Sequence, residues 1–141
     1  MPGPNTYRRV IASGFIYDPV SVAYFNRAGI SNTTEMLAVN SFVVSCRSIP
    51  ALWNSISSGA VYLVSPTSYG ASLNNLMSSS FLLSGTAPSY ATTGWSFNGS
   101  TQYLDSGFVP SVQMTLNSGL LAIYQRSRTA AIGSFDIGST I

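Results

Sequence analysis

The spacing of apolar residues changes once along this chain of 141 residues, near Gly59, and the change limits what the chain can fold into. Before it, apolar side chains recur every three or four residues, the spacing of one buried helical face. After it they come in short runs cut by Ser, Pro, Gly and Asn, as expected for strands buried in a sheet or sandwich. Asp18-Pro19 forms a helix start, an N-cap followed by a proline whose missing N–H costs nothing in the first turn, and Gly29 closes that helix. Val22, Phe25 and the stem of Arg27 lie along it. Asn32, with Glu35 three residues on, makes a capping box, and the helix it opens should run from about Thr33 to Arg47 with Val39, Phe42, Val43 and Cys46 on its buried face. A third, short helix follows Ser48, with Pro50 in its first turn. Ile49, Leu52, Trp53 and Ile56 repeat the helical spacing before Gly59.

Beyond Ala60 the runs Val61–Val64, Phe81–Leu83, Trp95–Phe97, Gln102–Leu104, Leu120–Arg126 and Ala131–Ile137 read as strands. Asn98-Gly99 supports a tight hairpin that sends Phe97 and Tyr103 towards the core, and Gly107 lets the chain turn sharply towards Pro110. The expected fold is therefore mainly β with a short N-terminal α-helical segment, divided into an arm (1–17), a helical segment (18–59) and a β-sandwich (60–141). Six strands are few for a sandwich, and the last runs nearly to Ile141. Either the domain continues beyond Ile141, the reading preferred here, or neighbouring subunits supply the missing pairs.

Residues 1–17 read as an extended arm, because Pro2, Gly3 and Pro4 disfavour helix while Val10 to Tyr17 is too apolar to leave in water. The arm should either strap onto its own domain or dock on another subunit. In the second case Tyr7, Arg8, Arg9, Val10, Phe15 and Tyr17 are the docking residues.

The charged residues are Arg8, Arg9, Arg27, Arg47, Arg126, Arg128, Asp18, Glu35, Asp105 and Asp136, with no lysine and no histidine. Without imidazole, Ser-His and Cys-His nucleophilic machinery is excluded within this chain and a zinc site has little to build on. Without lysine there is no Schiff base and no P-loop. No enzyme activity and no cofactor are expected. The net charge of +2 comes from dispersed arginines, so no nucleic-acid partner is expected. No secretory signal pattern and no apolar run approaching roughly 18 residues is present, so no membrane partner is expected either. Cys46 cannot form an intrachain disulfide and reads as a small buried hydrophobe.

Charged residues are 7% of the chain, against roughly a quarter in an ordinary soluble domain. A surface of Ser, Thr, Asn and Gly is weakly hydrated and readily buried against neighbours, which points to a component of an assembly and to a homo-oligomer. Asp105 and Asp136 are too isolated for calcium, which wants six to eight oxygen ligands, or for a glycosidase pair. Tyr69 and Tyr90 fall in loop-like sequence and are the candidate contacts for a host-surface glycan, while Trp95 and Tyr103 fit core packing better.

The stretch Trp95-Ser96-Phe97-Asn98-Gly99-Ser100-Thr101-Gln102-Tyr103-Leu104-Asp105 carries a resemblance. Together with Phe25-Asn26-Arg27-Ala28-Gly29-Ile30, the helix from Thr34 to Arg47 and the Leu52-Trp53 turn, it resembles a group of bacteriophage tail and minor structural proteins. The likeness is ordered and covers Val22 to Gly138. It implies a concanavalin A-like, LamG-type jelly-roll sandwich, incomplete in this chain. It also implies a location in the virion, made in the host cytoplasm, as a tail fibre, tail appendage or capsid decoration. Other virion proteins (capsid, portal, neck or tail subunits) would be the partners, with a lectin-like carbohydrate-binding module as the alternative function.

Overall fold

The computed structural model describes residues 11–12, 15–114 and 122–124. Its elements are β1 (Ile11–Ala12), β2 (Phe15–Ile16), α1 (Pro19–Ala28), α2 (Thr33–Arg47), α3 (Pro50–Ile56), α4 (Tyr69–Ser72), β3 (Ser89–Ala91), β4 (Gly94–Ser96) and α5 (Pro110–Gln113).

The helices start where local chemistry requires. Asp18 accepts from the Val20 N–H at 2.9 Å, with Pro19 in the first turn, and Gly29 ends α1 at φ +69° with its own N–H donated to the Phe25 carbonyl. Asn32 Oδ1 accepts from the Glu35 N–H at 3.1 Å to open α2. A salt bridge of 3.0 Å joins Arg47 at the end of α2 to Asp18 at the start of α1, and the Asp18 N–H donates to Asn40 at 2.7 Å. The two helices are thereby fixed side by side. The α2–α3 corner bends by 113°, and the Arg47 guanidinium lies 4.4 Å from the centre of the Trp53 ring. Among the described residues no single helix is long and apolar enough to cross a membrane.

The core comprises Tyr17, Tyr24, Phe25, Ile30, Val39, Val43, Ala71 and Leu76, with Trp53, Val61, Leu63 and Met77 packed at its margin. It therefore runs through residue 59, drawing on α1, α2, α4 and the chain on either side of α4. Val39, Val43 and Cys46 are buried as their spacing predicts, while Phe42 sits at the edge of the face.

The mainly β, jelly-roll expectation is overturned. The described residues form five helices and two separate two-stranded antiparallel ribbons, β1–β2 and β3–β4, with coil between them. The four predicted strands that fall on described residues meet different fates. Phe81 adopts φ +58°, a left-handed conformation that breaks an extended run for a bulky residue, so Phe81–Leu83 is no strand. Val61–Val64 makes a single bridge, Tyr62 with Asn75, and Gln102–Leu104 lies beside the bridge of Ser84 with Asp105. Trp95 and Ser96 do belong to a ribbon, but it turns at Thr92-Thr93 and pairs with Ser89–Ala91. Asn98-Gly99 is not its hairpin. Asn98 Oδ1 instead accepts from the N–H groups of Ser100, Thr101 and Gln102, closing a loop on itself. Phe97 and Tyr103, expected inside, are 46% and 57% exposed. The expected strand Ala131–Ile137, and most of Leu120–Arg126, lie outside the described residues.

Candidate functional site

Where α1, α2 and the chain from Leu63 to Ser72 meet, a polar relay with Glu35, Ser65 and Ser72 buried and Thr67 and Ser68 exposed borders an open groove. Ser65 organises it: its N–H donates to Ser72 Oγ at 2.8 Å, and its hydroxyl oxygen accepts from the N–H groups of Thr67 and Ser68. Ser68 in turn caps α4, accepting from the Ala71 N–H at 3.2 Å. Thr67 Oγ1 donates to Glu35 Oε2 at 2.5 Å, so the hydroxyl of Ser65, 3.2 Å from Thr67 Oγ1, is the donor in that contact.

Glu35 was predicted to close a capping box by reaching back to the start of its own helix. It turns away to Thr67, 32 residues on, and is 5% exposed. Among the described residues no cationic side chain pairs with it. Tyr24 stands beside it on α1, fully buried, and donates to the Ala71 carbonyl at 3.3 Å. Burial, and then the negative charge of Glu35, push the Tyr24 phenol up to about 12, against an opposing pull from Arg27. The groove, about 250 Å³, is walled by Val39, Phe42, Leu63 and Pro66, with Tyr24 and Glu35 also lining it.

A second structural centre is Asn75, also fully buried. Its Oδ1 accepts from the Val61 and Met77 N–H groups at 3.0 Å each, and its amide donates to Ser78 Oγ and the Ser80 carbonyl at 3.1 Å each. Arg27 spans the same turn from α1, donating to the Asn75 and Leu76 carbonyls at 2.9 and 3.1 Å. Neither Asn75 nor the Glu35–Thr67 bond was found by sequence reasoning. Both join residues with no periodic relation to each other.

The predicted site residues fare differently. Tyr17 is in the core, its ring 5.4 Å from that of Phe25 and edge-on, so it anchors the start of α1 and offers no face to a partner. Phe15 forms β2, pairing with Ala12. Tyr7, Arg8, Arg9 and Val10 lie outside the described residues. Tyr69 and Tyr90, 21 positions apart, are brought together with ring centres 5.7 Å apart and planes at 67°. Both are half-buried, and the Tyr90 hydroxyl donates to the Ser65 carbonyl. Asp105 is exposed and caps its own loop, accepting from the Gly107 N–H at 2.8 Å, while Asp136 lies outside the described residues. No group of three or more metal-ligating side chains occurs among the described residues.

Compared with protein-family models, with curated proteins and with solved structures, the chain matches none of them.

Proposed function

We propose that this chain is a non-enzymatic structural component of a bacteriophage virion, acting in particle assembly through contact surfaces and extending to host-surface attachment. The observation that carries this reading is the almost uncharged, partly exposed surface of residues 48–114. Asp105 is the one charged residue in that stretch, and Ile49, Leu82, Phe97, Tyr103, Val109 and Val112 are all exposed on it. Apolar side chains left in water with so little charge around them favour burial against other subunits. The reading also draws on the likeness of the sequence to phage structural proteins, without the jelly-roll sandwich that likeness implied.

The virion assignment is tested by raising antibodies to the chain and probing purified particles from lysates that contain it. Labelling of intact particles is the expected result, and protein found only free of particles would refute the assignment.

The lectin-like alternative draws on the meeting of Tyr69 and Tyr90. Sugar stacking needs an open ring face, whereas this pair is edge-on and half-buried with one hydroxyl engaged, a geometry better suited to strapping β3 onto the Ser65 turn. A glycan array showing affinity lost in Tyr69→Ala would favour the lectin reading over the structural one.

A further inference from the structure

We propose that the groove beside Glu35 receives an arginine side chain from the N-terminal arm of a second copy of this chain. The inference rests on the reading of the chain as an assembly subunit, in which copies of itself are its neighbours. Glu35 is the starting point. A carboxylate 5% exposed, with a single hydrogen bond and no cationic partner among the described residues, is held at a cost that the positive N-terminal end of α2 offsets only in part. It borders a groove open to solvent, so a cation from outside can reach it.

The groove also describes its occupant. Its walls are mostly apolar and include the aromatic residues Tyr24 and Phe42, which fits a planar cation on an apolar stem better than a strongly hydrated one. The chain has no lysine, so any side-chain cation supplied by another copy is a guanidinium. Arg27 and Arg47 are engaged within their own fold, by the Asn75 and Leu76 carbonyls and by Asp18 and Trp53. Arg126 and Arg128 have only the polar neighbours Gln125, Ser127 and Thr129, whereas Arg8 and Arg9 are adjacent and flanked by Tyr7 and Val10, so the same short segment that carries the cation also carries apolar side chains for the groove walls. Ten residues precede Ile11, enough for a span of up to about 35 Å when extended.

The test is a fluorescence anisotropy titration of a labelled peptide of residues 1–12 into the full chain, beside sedimentation of the full chain alone. Binding is expected to weaken at least tenfold when the protein carries Glu35→Gln, and equally when the peptide carries Arg8→Ala and Arg9→Ala. It is also expected to weaken as salt rises. Self-association of the full chain should fall in E35Q. The peptide substitution leaves the protein untouched, so it decides the matter even if E35Q alters folding. Equal binding of both peptides, E35Q binding the parent peptide unchanged while keeping its helical circular dichroism, or a full chain monomeric at every concentration would each overturn the proposal. Particle labelling is read independently, so failure of the arm contact and failure of the virion assignment give different results.

Discussion

Residues 17–77 and residues 78–114 are both rich in apolar side chains and poor in charge, yet only the first region builds a core. Every fully buried hydrophobic residue among those described falls between Tyr17 and Leu76, whereas in the second region Pro88 alone is buried. The difference is one of spacing. In α1 and α2 the apolar residues return every three or four positions and so collect on one face, which another element can cover. From Ser78 onward they follow no period long enough to define a face. That part of the chain is tied down by separate contacts: the Ser84–Asp105 bridge, the β3–β4 ribbon and the edge-on pair of Phe81 and Phe108 at 5.0 Å. Apolar content alone therefore does not make a core.

The contrast is most exposed to test by truncating a leucine in each region. Leu76→Ala should cost about 2–5 kcal/mol, because it leaves a cavity in the packed centre, whereas Leu82→Ala, at a residue half exposed, should cost under about 1 kcal/mol. Urea unfolding measures both, and equal losses would erase the distinction. Next comes Asn75→Ala, expected to cost about 2–3 kcal/mol by stranding the Val61 and Met77 N–H groups. Because Asn75 also holds Ser78 and Ser80, the same change should speed amide hydrogen exchange on both sides of residue 77.

Gly85→Ala sharpens the picture from the other side. A Cβ there would sit 2.6 Å from the Tyr103 carbonyl oxygen at a backbone φ of +134°, a strain of about 1–3 kcal/mol confined to the second region. Exchange at Ser84 and Asp105 should rise while the helices stay protected. The remaining effect concerns pH. The Tyr24 phenol is pushed up from 10.0 to about 12, so its contribution to stability is complete below pH 10 and is lost as pH climbs towards about 12. Tyr24→Phe should flatten that alkaline decline, and an unchanged alkaline profile would mean another group causes it.

The helical region could be read from the residues because its signals are local. Asp18-Pro19, Gly29, Asn32 and Pro50 each act within one turn of the backbone they terminate, and α1, α2 and α3 begin where those residues say. The strand reading rested on short apolar runs, which are extended only if something pairs with them. Phe81 found no such partner and turned left-handed, and Asn98-Gly99 closed a loop in place of a hairpin. The groove was half visible: Glu35 was singled out as a helix cap, but nothing near it in the chain pointed to Thr67.

Residue order along the chain was enough to settle where α1, α2 and α3 start and that Val39, Val43 and Cys46 face inward, since caps and periodicity act over three or four residues. Tertiary packing settled the destination of the Glu35 carboxylate, the burial of Tyr17, the role of Asn75 and the pairing of Tyr69 with Tyr90. Each of those depends on a contact between distant segments, and such a contact forms only after the helices have brought the segments together.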